Sequence, residues 1–138
     1  MRDDQEKLEK ILECIERVRE YIKDGKENFL NDHKTQDAVI RNCQIVGEAV
    51  KELSADLRQR TPKVDWRSPA RFRDKITHDY FDVNLEIVWD ICTDEFVIFA
   101  KQVEMILKSQ FRQAKTKNKT KKLTLAQELK KQKNNQLK

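Results

Sequence analysis

From Asp3 to Asp24 the apolar residues Leu8, Ile11, Leu12, Ile15, Val18 and Ile22 recur at steps of three and four, with charged residues between them. That is the period of a helix that buries one face, and Gly25 is placed to end it. After a connection containing Phe29 and Leu30, capping residues cluster between Asn31 and Thr35, and Val39, Cys43, Val46, Val50 and Leu53 resume the stripe. Ala38, Gly47 and Ala49 lie beside that stripe as small residues suited to close packing. Both prolines then break the periodicity between Arg58 and Pro69, and Ser68-Pro69 reads as a helix cap followed by proline in the first turn. A shorter third helix is predicted from about Pro69 to the His78-Asp79-Tyr80-Phe81 segment, with Phe72 and Ile76 inward. Asn84 is placed to cap a long helix whose stripe runs through Leu85, Val88, Trp89, Cys92, Phe96, Phe99, Val103, Ile106 and Leu107.

No alternating strand pattern competes, so the chain reads as all-α: three long amphipathic helices plus shorter ones, closed as an antiparallel bundle. Composition agrees, because two glycines and two prolines among 138 residues leave little to interrupt helices. The length suits one domain, predicted over residues 1–111, with residues 112–138 as a basic tail. Charge sharpens that boundary. Residues 108–138 carry 11 Lys and Arg against one Glu, a net +10, whereas residues 1–107 carry 18 against 23, a net −5. The tail is too polar and self-repelling to join a core, although Leu123, Leu125 and Leu129 could form a marginal terminal helix, and it is expected to be flexible in isolation.

The charged N-terminus has no apolar run of the signal-peptide kind, and no later stretch is long enough to span a bilayer, so a soluble, cytoplasmic protein without membrane contact is expected. Cys14, Cys43 and Cys92 are odd in number, far apart and set among apolar residues, which predicts buried thiols and neither a disulfide nor a metal site.

Only two histidines are available for imidazole chemistry. His33 sits in a polar connection and reads as a solvated loop residue. His78 lies among Arg71, Arg73, Asp74, Lys75, Asp79 and Tyr80. A solvated helix end accounts for such a cluster, but the trio Arg73, His78 and Tyr80 also allows a specific chemistry. An imidazole, ordinarily titrating near ~6.5, can take a proton from a ribose 2′-hydroxyl, and a permanently cationic guanidinium can hold a phosphate and stabilise its extra transition-state charge. Geometry constrains the idea, since residues five apart on an ideal helix are separated by about 140°. Either the helix ends before His78, or two copies of the chain complete the site.

The arrangement Arg73-x-x-x-x-His78-x-Tyr80 resembles the Arg-x(4)-His-x-Tyr motif of HEPN-domain toxins, in particular the HepT family. The likeness extends to Thr35–Asn42, Ile45–Lys51, Pro62–Trp66 and Asp82–Trp89 in the same order, so it covers residues 1 to about 110. It implies a HEPN bundle that pairs as a homodimer with the two motifs converging in a cleft. It implies further a metal-independent endoribonuclease in which His78 is the base or acid and Arg73 polarises the scissile phosphate of tRNA or mRNA. Tyr80 would be the residue that an MntA-like nucleotidyltransferase antitoxin modifies with AMP taken from ATP, in a type VII toxin–antitoxin pair. The chain itself would need no cofactor.

Asn42 could turn a polar group toward the cleft, as second-helix residues do in HEPN proteins, or simply bond its own helix. Glu48 could orient Arg73, and Asp74 beside Arg73 is a further supporting candidate. Two other functions fit the same residues: a non-catalytic HEPN partner that holds nucleotide or substrate for a separate nucleotidyltransferase, and a structural bundle whose basic tail binds nucleic acid nonspecifically. The tail departs from shorter members of the family, and its expected contribution is sequence-independent affinity for RNA phosphates.

Overall fold

A computed structural model describes residues 2–79 and 82–111. The first helix, α1 (Arg2–Tyr21), follows the predicted stripe, with Leu8, Ile11, Cys14, Ile15 and Val18 buried. Gly25 ends the turn after it in the left-handed region, at φ 98°, where a side chain would be strained. The next segment differs from expectation. Residues predicted as a connection form a short helix, α2 (Lys26–Asn31), because Phe29 has a site to fill: it is fully buried and its ring lies 5.7 Å from that of Trp89. Gln36 Nε2 donates to the Phe29 carbonyl and so ties the end of α2 to the next helix.

That helix, α3 (His33–Lys51), starts from Asp32, whose carboxylate accepts the Thr35 hydroxyl at 2.6 Å. His33 is its first, exposed residue rather than a loop residue. Helix α3 packs against α1 and against the later helix Arg67–His78. α1 and α3 run antiparallel, since Lys7 near the start of α1 pairs with Glu52 just past the end of α3.

A second short helix, α4 (Ala55–Arg60), was not expected either, because only Leu57 marks its inner face and one apolar position shows no period. Its origin is local. Ser54 Oγ accepts the Leu57 amide at 3.1 Å, while the Ser54 amide and hydroxyl donate to the Asp4 carboxylate at 2.9 and 2.5 Å. Burial opposes ionisation of Asp4, but these two donors, together with nearby positive charge such as that of Lys7, outweigh it and its pKa is lowered. A group depressed in the folded state adds stability above its unfolded pKa and loses it as pH falls through the folded value. Asp4→Asn is therefore expected to cost about 1–3 kcal/mol in urea unfolding at pH 7, and the difference from the parent should shrink in acid below pH ~3.8.

Helix α5 (Arg67–His78) is followed by α6 (Leu85–Asp90), a π-helical turn (Ile91–Glu95) and α7 (Phe96–Ile106). Asn84 caps α6 as predicted, its Oδ1 accepting the Ile87 amide at 3.2 Å. The predicted uninterrupted stripe is instead broken by the π turn, in which the Phe96 amide reaches the Ile91 carbonyl. The Thr93 hydroxyl donates to the Trp89 carbonyl at 2.9 Å and competes for the acceptor a regular ladder would use. The wider turn is useful: Val88, Cys92 and Phe96 at steps of four would drift by about 80° on an ideal helix, yet all three stay buried. α5 and the α6–α7 rod run antiparallel, because Ser68 at the start of α5 bonds Glu95 while Ile76 near its end shares a groove with Ile87 and Val88.

Cys14, Cys43 and Cys92 are free and buried, and the Cys43 and Cys92 sulfurs meet at 3.7 Å. Contact with the Cys92 thiol, together with burial, pushes the Cys43 thiol well above the ordinary range, so it is held as a neutral core group. By its contacts the chain divides into Met1–Met105 and Ile106–Lys138. The second unit begins at the last residue of α7 and continues through a π turn, Leu107–Phe111. The predicted tail, with its marginal helix, lies outside the described residues. Among those described, no helix is long and apolar enough to cross a membrane.

Candidate active site

The start of α5 is built from side chains of the preceding loop. Asp65 Oδ1 accepts the amides of Arg67 and Ser68, both at 3.1 Å, so Asp65 does the capping that the sequence suggested for Ser68. Pro69 falls in the first turn, where its missing N–H costs nothing. Trp66 anchors this entry, its indole N–H donating to Thr61 Oγ1 at 3.0 Å and its ring meeting Phe99 edge-on at 5.5 Å between centroids. With both ends of the entry fixed, the rotation of α5 about its axis is fixed too.

Arg73 occupies the crossing of α5 over α3. A Cβ added at Gly47 would lie 2.2 Å from Arg73 Cβ and 2.7 Å from the Pro69 carbonyl oxygen, so only glycine lets the two helices approach this closely. The guanidinium is then directed by charge. Arg73 Nη1 donates to Asp74 Oδ1 at 3.1 Å, and Lys51 Nζ donates to the same oxygen at 2.9 Å. These donors, Lys51 first and then Arg73, lower the Asp74 pKa, so this carboxylate stays ionised through the neutral range.

His78 is the last helical residue of α5 and is exposed, with the Asp79 amide closing the helix onto the Lys75 carbonyl. The helix therefore does not end before His78, and the first of the two geometric options is excluded. The 140° between Arg73 and His78 is real, but Asp74 lies between them, about 100° from Arg73 and 40° from His78 around the axis. By holding the guanidinium, Asp74 carries it part of the way toward the histidine.

The other candidates are placed differently. Asn42 is buried and its Nδ2 donates to the Ala38 carbonyl at 2.8 Å. It lies about 140° around α3 from Gly47 and about 180° from Lys51, so it faces away from the Arg73 side of the same chain. Its Oδ1 is buried without a hydrogen-bond partner among the described residues. Glu48 is exposed on α3, and the carboxylate that contacts Arg73 is that of Asp74. Tyr80 lies outside the described residues. Lys51 escaped the sequence reading, since its partner is 23 positions away and only the glycine-mediated crossing brings the two together.

A profile of the Ribonuclease HepT-like family matches residues 11–106. The chain belongs to the HepT-like family. Among its relatives is a provisionally named RNase of Methanocaldococcus jannaschii, 42% identical over 99 residues that cover 71% of this chain and 82% of that protein. The probable ribonuclease HepT of Thermococcus cleftensis is 38% identical over 102 residues, 73% of this chain and 93% of its own. A provisionally named RNase of Caldanaerobacter subterraneus is 38% identical over 104 residues, with coverages of 75% and 93%. No solved structure matches the chain. The all-α architecture is that of the HEPN fold to which this HepT-like chain was expected to conform.

Proposed function

We propose that this HepT-like ribonuclease is the toxic component of a type VII toxin–antitoxin pair, cutting RNA without a metal ion at a site formed by Arg73 and His78. The observation that carries the reading is the fixed guanidinium of Arg73, held against Asp74 on the helix that ends in an exposed histidine. His78 takes the proton of the ribose 2′-hydroxyl, the 2′-oxygen attacks phosphorus, and the bond to the 5′-oxygen breaks as that oxygen takes up a proton from water. Arg73 stabilises the charge that accumulates on the phosphoryl oxygens. The products are a 2′,3′-cyclic phosphate and a 5′-hydroxyl end, and DNA lacks the nucleophile. The angular gap between Arg73 and His78 is closed by a second copy, so the active form is a homodimer in the cytoplasm. The basic tail adds nonspecific affinity for RNA.

An MntA-like nucleotidyltransferase antitoxin places AMP from ATP on Tyr80, two residues beyond His78. Each AMP adds a base and a negative phosphate where substrate must enter, which blocks and repels RNA. A tyrosine hydroxyl is a weak nucleophile unaided, so the partner supplies the catalysis for that step.

Unmodified protein should cut single-stranded RNA in EDTA and leave DNA intact, and coexpression with the nucleotidyltransferase should raise its mass in steps of one AMP mapped to Tyr80. Persistence of full-length RNA with Tyr80 verified as unmodified would sink the ribonuclease reading and favour a nucleotide-binding partner. Asp74→Asn, which releases the guanidinium, is expected to lower kcat/KM by about tenfold. Lys51→Ala should have a smaller effect in the same direction, measured by steady-state cleavage of a labelled oligonucleotide.

A further inference from the structure

Beyond the reacting pair, α5 presents two further cations, Arg67 and Arg71. Taking Arg67 as the origin, Arg71, Asp74 and His78 follow at steps of four, three and four residues, rotations of about +40°, −20° and +20°. The four share one face about 60° wide and extend over about 16 Å of helix. His78 stands at one end of this face and Arg67 at the other.

Alongside the face runs an open groove, walled by the segment that leads from α4 into α5, and lined by Arg58, Pro62, Trp66, Arg67, Arg71 and Asp74, among others. Its carboxylates are already occupied. Asp74 is held by Lys51 and Arg73, and Asp65, also on the groove, is spent on the amides that start α5. Arg58 is immobilised, its Nη2 donating to the carbonyls of Val50 and Lys51 at 2.7 and 3.0 Å, while its buried Nε has no hydrogen-bond partner among the described residues. Arg67 and Arg71 are both exposed, and neither takes part in an ion pair of the described residues. Two unpaired arginines on one helix face are notable where residues 1–107 are net −5.

We propose that this groove is a phosphate-binding subsite for the RNA strand flanking the scissile bond, with Arg67 and Arg71 as its contact residues and Arg58 as a fixed charge in its wall. The assignment rests on the ribonuclease reading and deepens it. A stacked strand rises about 3.4 Å per nucleotide, so the face spans about five nucleotides from His78 outward. Trp66 is only 7% exposed and offers no platform for a base. The subsite therefore reads backbone charge rather than sequence, adding affinity and setting strand direction across the site.

The test is binding of full-length protein to single-stranded oligonucleotides of two and eight nucleotides that carry 2′-deoxyribose at the cleavage position, read by fluorescence anisotropy over a range of salt. Lengthening the strand should tighten binding by the wild type. In Arg67→Ala/Arg71→Ala that gain should shrink by about tenfold, and the slope of log K against log salt should fall by about 1.4, at about 0.7 per phosphate contact on a single strand. Arg67→Lys/Arg71→Lys should restore the slope, because point charge suffices for phosphate. Arg19→Ala/Lys23→Ala, at the end of α1 and in the turn after it, which removes the same charge elsewhere, should behave as wild type. An unchanged gain and slope in the double alanine variant, or an equal loss in the α1 control, overturns the subsite. Wild-type protein that shows the length gain and slope but cuts no RNA supports the subsite as a binding groove while removing the ribonuclease reading.

Discussion

His78→Ala is expected to lower RNA cleavage by about 10²–10⁴-fold, the usual contribution of a positioned general base, while leaving the melting temperature nearly unchanged. The second half follows from position. His78 is exposed at the end of α5, and surface substitutions away from packing usually change stability by no more than about 0.5 kcal/mol. Arg73→Ala should cost a comparable factor, about 10²–10³, by removing the charge that meets the phosphoryl oxygens. Arg73→Lys should not rescue it, because an ammonium cannot reproduce a planar fork. The two inactive variants can then be mixed. A heterodimer of His78→Ala and Arg73→Ala has one intact site if each site takes its histidine from one copy and its arginine from the other. Random pairing in a two-fold dimer should then return about a quarter of the wild-type activity. Recovery near zero, with mixed dimers confirmed by mass, would place both residues of each site in one chain.

The long helices were legible because each buries a stripe whose period can be counted: α1, α3 and the rod from Leu85 all lie where the apolar spacing placed them. α2 and α4 were not, since each buries one large side chain, Phe29 or Leu57, and a single apolar residue carries no period. The π turn was hidden for the opposite reason. Val88, Cys92 and Phe96 form a good stripe on paper, and only the hydroxyl of Thr93 bonding Trp89 shows how the ladder accommodates it. Of the proposed site, Arg73 and His78 are candidates from chemistry and resemblance, and Asp74 from adjacency. What positions them could not be read from the sequence, because Lys51 and Gly47 act across a helix crossing. Asn42, a candidate by residue type, bonds its own helix through the Ala38 carbonyl and lies on α3 away from Arg73 of the same chain.

Gly47→Ala should destabilise the protein and disable the site together. In isolation the substitution favours a helix by about 1 kcal/mol, and at an open position it would stabilise. Here the new Cβ would stand 2.2 Å from Arg73 Cβ and 2.7 Å from the Pro69 carbonyl oxygen. Neither neighbour is the far end of a flexible side chain, so α5 itself must move by more than an ångström to reach ordinary contact distance of about 3.5–4.0 Å. Overpacking of this kind costs about 1–3 kcal/mol; set against a propensity gain of about 1 kcal/mol, the net loss reaches about 2 kcal/mol, which lowers the melting temperature of a domain this size by up to about 9 °C. Because α5 carries Arg73, cleavage should fall as well, even at temperatures where the variant is fully folded. Gly25→Ala separates space from backbone conformation. Nothing lies within 4 Å of its added Cβ, but φ is +98°, so it should lose about 1 kcal/mol through strain alone and keep full activity per folded molecule. A Gly47→Ala protein as stable and active as the parent would show that α5 can shift without cost, and that the close crossing is not what positions Arg73.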